Sequence, residues 1–315
     1  MTDWFGTLQQ WLFESVVQPI AFASGMGNLL DLAYDGTGWV LVGVLQFAVM
    51  LAVFYPLEMA FPVFKVTDWR AVRVDILYTA IHRLGLFKLL MFFSIDPLVD
   101  HLVGEFRVMG FPTFHLELWW PGVANQPVLA FMVYLVVFDF IQYLIHRGQH
   151  QFEWWWALHS LHHSQRQMTM WSDNRNHLLD DVLRDLIFVG VAVLVGVPPG
   201  QFVVLVAFAQ LSESFQHANL RIWFGNVGER LWVSPRFHRM HHSIGIGHES
   251  AGVHTLGGCN FGVLLPWWDM ALGTANFELR FDDTGVRDQV EDGRDYGAGF
   301  WQQQWSGLLR LIGKA

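Results

Sequence analysis

The sequence is short of charge and nearly without cysteine. Asp, Glu, Lys and Arg make up 15% of its 315 residues, against about 25% in ordinary soluble domains. The single cysteine, Cys259, excludes an internal disulfide and any cysteine-held zinc or iron–sulfur site. Redox chemistry would have to come from histidine-bound metal or an external donor. Basic residues are scarce as well: 19 Lys and Arg stand against 28 Asp and Glu, a net charge of −9. No basic stripe exists to meet phosphates, which excludes nucleic acid as a partner. No GxGxxG or other nucleotide fingerprint occurs, so NAD or FAD would bind a partner protein instead. The opening MTDWFGTLQQWLFESVV has no basic segment and carries acids, unlike a cleavable signal. Its Trp4, Phe5, Trp11, Leu12 and Phe13 fit an interfacial amphipathic segment or a plain packed helix.

Apolar residues fill the space that charge leaves: 53% of the chain is hydrophobic and 16 residues are Trp. Residues 36 to 57 contain no Asp, Glu, Lys or Arg, long enough to cross about 30 Å of hydrocarbon as a helix. Residues 118 to 138 are equally free of charge. Pro121 and Pro127 interrupt that run, so its helix is expected to start near 127. A third run, 186 to 212, is broken by Val197-Pro198-Pro199-Gly200, through which no straight helix continues. It predicts a hairpin that dips into a membrane and returns. Residues 76 to 98 are counted as a further span, although His82, Arg83 and Lys88 interrupt them. The fold class expected is therefore an all-α integral membrane protein with about four membrane helices or hairpins and a cytoplasmic helical layer. Lys65, Arg70 and Arg73 follow the first span, Arg107 alone is basic within 99 to 126, and Arg147, Arg166, Arg175 and Arg184 lie beyond. Basic loops stay in the cytoplasm, which places the N-terminus outside and the later polar segments inside. Residues 1–126 then form an N-terminal membrane region, 127–275 a catalytic domain and 276–315 a polar cytoplasmic tail. The acids and arginines of 280 to 295 read as a solvated loop or a docking patch for a donor protein.

The chemistry is carried by histidines. His146 and His150 form H-x3-H, His159, His162 and His163 form H-x2-H-H, and His238, His241 and His242 repeat H-x2-H-H. On a helix, residues three or four apart share a face, so each cluster can aim its rings at one point. Imidazole suits Fe, Zn, Cu and Ni. Eight such donors exceed what one tetrahedral ion uses, which points to two metal ions in one cage. His177 follows the second cluster and is either a further ligand or a helix-start residue. His248 and His254 read as loop-lining, and His82, His101 and His115 as non-ligands. Asp139, two helical turns before His146, and Asp173, Asp180, Asp181 and Glu213 are candidates to orient the ligands, or else caps and ion-pair partners. Asp269 reads as fixing a turn. Trp154, Trp155 and Trp156 suit a membrane interface or the wall of a lipid channel.

This pattern resembles the fatty acid hydroxylase / sterol desaturase superfamily of membrane di-iron enzymes. Asp139, Tyr143, His146 and Arg147 look like its D-x3-Y-x2-H-R segment. Phe215 to Asn219, FQHAN, resembles its middle single-histidine segment and makes His217 a ninth ligand. Asn260 to Gly262 with Trp268, Asp269, Gly273 and Thr274 looks like its NFG…WD…GT close. The resemblance covers about residues 130 to 275. It implies two Fe ions held by His146, His150, His159, His162, His163, His217, His238, His241 and His242, with His177 as a tenth. It also implies O2 as co-substrate, hydroxylation or desaturation of a fatty acyl or sterol-like lipid, and electrons from a separate cytochrome b5-like or ferredoxin-like protein. The membrane would be a bacterial inner membrane or the endoplasmic reticulum. A zinc hydrolase would favour H-E-x-x-H, where this chain has HRGQH. A haem protein would use paired histidines on separate helices and leaves the triplets unexplained. A metal carrier would bind metal without consuming oxygen.

Overall fold

The computed structural model describes residues 3–110, 116–197, 199–244 and 258–315. Among them the chain is 70% helical with no strand. Two helices, Gly27–Ala60 and Pro127–Gln151, are long and apolar enough to cross a membrane. The second begins where expected. Pro127 occupies its first turn, where a missing N–H breaks no helical bond. It ends at Phe152, whose extended backbone (φ −97°, ψ 118°) redirects the chain into Glu153–His163.

The expected break in the third apolar run also appears. Leu178–Val195 stops at left-handed Gly196 (φ 71°), and Pro199–His217 follows. Residues 76 to 98, in contrast, do not form one continuous span. Trp69–Arg83 ends at Leu84, Gly85 turns left-handed (φ 81°), and Leu86–Ser94 starts afresh. The physical cause is on both sides of the break. Glycine takes positive φ without strain, and Arg83 is drawn inward. Its guanidinium donates to Asp173 (2.8 Å), the Gln210 carbonyl (2.8 Å) and Ser214 (2.9 Å). An orientation that counted 76 to 98 as a crossing loses that crossing. Gly43 lets Gly27–Ala60 approach this corner, since a Cβ there would lie 1.7 Å from the Arg83 carbonyl oxygen.

Two apolar clusters bind the helices together. One joins Tyr134, Leu135 and Phe138 to Leu205, Ala209, Leu264 and Leu265. The other joins Met50, Phe54 and Val72 to Met170, Trp171 and Leu220. The segment after 276 is more than a solvated loop. Residues 291 to 295 are exposed, but Thr284 and Val286 are fully buried. The Thr284 hydroxyl donates to the Gln165 carbonyl (2.9 Å) and the Gln289 amide to that of Ser164 (3.0 Å). The Phe300–Leu311 helix packs on Glu153–His163, so the tail straps the second histidine cluster from behind.

Candidate metal centre

Nine of the ten expected histidines converge, and all nine are buried. His146 and His150 lie one turn apart at the end of Pro127–Gln151. The sharp corner at Phe152 brings His159, His162 and His163 back against them. His217 ends Pro199–His217. His238 and His241 lie on Pro235–His241, with His242 as its C-cap. The donor atoms form two sets of four, His146/His150/His159/His163 and His162/His217/His238/His242, each within 4.8 Å of one another. A third group, His163/His241/His242, links them.

Hydrogen bonding sets which nitrogen faces inward. The Nδ1 of His146 lies 2.9 Å from the Phe261 carbonyl, and that of His159 3.1 Å from the Asp180 carboxylate. Nδ1 of His217 meets the Glu213 carbonyl and Nδ1 of His241 that of Cys259, both at 2.8 Å. These oxygens only accept, so Nδ1 carries the proton and Nε2 keeps a bare lone pair. The Nε2 atoms of His159 and His241 are buried without a hydrogen-bond partner. Burial, then the neighbouring imidazoles, holds His162, His238, His241 and His242 well below the usual histidine range. They are neutral at pH 7, the form that binds metal. In the second set, Nε2 of His217 lies 3.1 Å from Nε2 of His162 and 3.0 Å from that of His238, which is 3.1 Å from Nε2 of His242. Two nitrogens about 2.1 Å from one metal at about 90° stand about 3.0 Å apart. Orphaned lone pairs at that spacing fit a cation.

The layer outside the rings explains the motif residues. Burial would raise the Asp180 carboxyl, but His159 and nearby Arg184 override it and hold the group below its usual range. Asp180 also accepts from Gln149 (2.8 Å) and Trp155 (2.7 Å). Asp269 accepts from the backbone of Phe261 (2.8 Å) and Gly262 (2.7 Å) and from Thr274 (2.6 Å). It thus fixes the turn whose Phe261 carbonyl meets His146. A Cβ at Gly262 would lie 2.8 Å from the Asp269 carboxylate, which is why glycine stands there. Asp139 touches no histidine. It accepts from the backbone of Leu264 (2.7 Å) and Leu265 (3.2 Å) and from Trp268 (2.8 Å), and supports His146 through the same loop. Arg147 donates to the Tyr143 hydroxyl (3.2 Å), which pairs with Thr274 (3.0 Å). Of the three tryptophans, Trp154 faces outward, Trp155 holds Asp180 and Trp156 packs on His150 and His163.

His177 is a correction. It caps Leu178–Val195, its Nδ1 accepting from the Leu179 backbone (3.1 Å) and its Nε2 bonded to the Gln304 carbonyl (2.8 Å). Both ring nitrogens are engaged, leaving none for a metal. His82 lies 3.3 Å from Asp181 and His101 is exposed. His115, His248 and His254 lie outside the described residues.

Sequence reasoning missed the supports from the N-terminal third. Glu58 accepts from the backbone of Met170 (2.8 Å) and Asn219 (2.7 Å), beside His217. Asp75 accepts from Arg175 (2.9 Å), Ser172 (3.1 Å) and Gln165. Arg83 pairs with Asp173. The available signal was charge inside apolar helices, which marks function or pairing. Beside the rings of His146, His159, His162, His217 and His238 lies a cavity of about 160 Å³, walled by the two hairpin helices.

A fatty acid hydroxylase family model matches residues 131–274, a stretch holding all nine convergent histidines. An ornithine lipid hydroxylase, OlsE, of Rhizobium tropici is 29% identical over 186 residues, 58% of this chain and 52% of that protein. An alkylglycerol monooxygenase of Caenorhabditis elegans is 28% identical over 148 residues, 47% of this chain and 27% of that one. An alkylglycerol monooxygenase of Xenopus tropicalis is 27% identical over 161 residues, 50% of this chain and 32% of that one. The aligned region thus spans about half or less of these relatives' lengths. No solved structure matches. Residues 131–274, somewhat under half of the chain, carry the histidines and the closing turn, and over them the chain is similar to the fatty acid hydroxylase superfamily, a resemblance that the family model and the relatives support.

Proposed function

We propose that this chain is a membrane-bound, O2-dependent oxygenase that hydroxylates a lipid C–H bond at two histidine-held irons. The observation carrying this reading is the pair of four-histidine sets at the wall of a cavity between apolar helices. Relatives named for lipid hydroxylation and alkylglycerol monooxygenation support a lipid as substrate. Of the two reactions expected, their names favour hydroxylation over desaturation.

The chain's own residues bind and orient. Apolar side chains such as Phe188, Phe202 and Val206 line the cavity and would receive a hydrocarbon while excluding water. Nδ1 hydrogen bonds to Asp180, Phe261, Glu213 and Cys259 hold four rings with Nε2 inward. Two irons would supply dioxygen activation, which no side chain provides. In balance, one oxygen atom enters the C–H bond and the other leaves as water, taking two electrons and two protons. Among the described residues no cysteine cluster could store those electrons, which supports a separate electron-carrier protein.

The test is elemental analysis of the detergent-purified protein with an optical spectrum, followed by turnover under 18O2 with a reductant. About two irons per chain and a lipid product carrying one 18O are expected. A Soret band, or zinc that iron cannot replace with recovery of oxygen uptake, would overturn the reading.

A further inference from the structure

The cavity wall carries more charge than a hydrocarbon substrate explains. Most of these charges are already used within the protein. Lys88 pairs with Asp185 at 2.6 Å, Arg83 with Asp173 at 2.8 Å, and His82 faces Asp181 at 3.3 Å. Arg184 and Glu213 differ. Both line the cavity, on opposite halves of the hairpin. Among the described residues the Arg184 guanidinium makes no hydrogen bond, and it has a single loose ion pair, with Asp181 at 3.7 Å. The Glu213 carboxylate has neither a hydrogen bond nor an ion pair within 4.0 Å among the described residues. The two line the same cavity from the two helices of the hairpin and do not close a bridge with one another within 4.0 Å. Ionisable groups among membrane helices are costly unless they meet a partner or a ligand. A guanidinium and a carboxylate held apart beside a cavity are complementary to a ligand bearing both opposite charges.

The order of residues along the hairpin orients such a ligand. Val206, Gln210, Glu213 and His217 all line the cavity and follow one face of Pro199–His217 at helical spacing. Arg184 and Phe188 do the same on Leu178–Val195. On both helices the charge lies toward the histidines and the apolar residues toward the hairpin tip. Val206 and Glu213 are separated by about 10 Å of helix rise. A lipid lying along this gradient puts its polar end beside the rings and its tail toward the tip.

We propose that Arg184 and Glu213 form a headgroup subsite for a zwitterionic lipid. The guanidinium takes an anionic oxygen, the carboxylate takes an ammonium, and oxidation falls on a carbon in the lipid's polar third. This rests on the lipid oxygenase reading and narrows its substrate class. The anionic oxygen belongs to a phosphate or a carboxylate, and guanidinium pairs with either.

The experiment measures equilibrium binding of metal-loaded protein to four lipids in mixed micelles. They are phosphatidylethanolamine, an ornithine-headgroup lipid, phosphatidylglycerol and an uncharged 1-alkylglycerol. Either or both ammonium-bearing lipids should bind at least tenfold tighter than the other two, and which one does identifies the anionic group. Arg184→Gln and Glu213→Gln should each cost about tenfold for the preferred lipid while metal content stays at the wild-type value. Should either variant fold poorly, the wild-type order of affinities decides alone. Phosphatidylglycerol or alkylglycerol binding as tightly as the ammonium lipids overturns the subsite, as does a product hydroxyl near the methyl end of the chain. Preference for an ammonium lipid without oxygen incorporation would keep the subsite and overturn the oxygenase reading. Oxygen incorporation without that preference would do the reverse.

Discussion

The two histidine sets are built differently. In the first, His146 leans on the Phe261 carbonyl and His159 on Asp180. Asp180 is itself held by Gln149 and Trp155, and Phe261 by Asp269. In the second, the rings lean mainly on each other, with Nε2 separations of 3.0 to 3.1 Å. His217 alone of those four has an Nδ1 bond to a backbone carbonyl, and Nδ1 of His162 and of His238 is buried without a hydrogen-bond partner. Ligands braced from outside are pre-positioned before metal arrives. Ligands that meet only at their lone pairs need the cation to hold them together. The first set thus has two rings held by the fold, at His146 and His159, and the second has one, at His217, so the second would depend more on a bound cation.

The largest effect should come from ligand removal. His159→Ala and His238→Ala should each leave about one metal per chain and lower turnover by more than the 10–100-fold typical of outer-layer changes. They should differ in the metal-free protein. Hydrogen exchange on chelation should rise more around 235 to 242 than around 146 to 163. Equal loss of protection in both segments would mean that the sets are equally braced.

A smaller effect should follow from removing a brace. Asp180→Ala frees the His159 ring, and Gly262→Ala pushes a Cβ to within 2.8 Å of the Asp269 carboxylate, shifting the turn under His146. Each should weaken one of the two metals by about 10–100-fold and leave the other in place. Stepwise chelator titration would separate the two affinities. Loss of both metals together would show that the third group, His163, His241 and His242, couples the sites too strongly to be treated apart.

This contrast also marks what the sequence could reveal. The convergence of the histidines was legible because helical spacing puts His146 with His150, and His238 with His241 and His242, on shared faces. Pro127 and the Pro-Pro-Gly at 198–200 announced where helices begin and break, since proline removes a donor and fixes φ. The braces were not legible in the same way. Nothing local says that Asp180 rather than Asp181 meets His159, or that Asp139 holds a loop 125 residues later. These pairings are set by tertiary packing. His177 shows the opposite failure. Its place after a ligand cluster suggested metal, but its extended backbone (φ −75°, ψ 129°) makes it a helix cap. The run 76 to 98 was misread because composition does not record that Gly85 takes a left-handed turn and that Arg83 has a carboxylate waiting.

The smallest effect belongs to the strap behind both sets. Gln304 donates to the Tyr78 hydroxyl (2.9 Å) and the Asn176 carbonyl (3.0 Å), and accepts from the Leu178 backbone (2.8 Å). It ties the tail helix to Leu178–Val195 and to the N-terminal third without touching any ring of the cage. Gln304→Ala breaks these bonds and leaves the Leu178 N–H without its side-chain acceptor. With about 1 kcal/mol for each hydrogen bond, and partial replacement by water, the cost should be about 2 kcal/mol of stability. It should appear as a lower thermal midpoint in detergent. Glu153–His163 carries histidines of both sets, so the strap should serve them equally, with metal content and both affinities unchanged. A selective loss from the second set would mean that packing from the tail, and not only the metal, supplies the bracing that its rings lack.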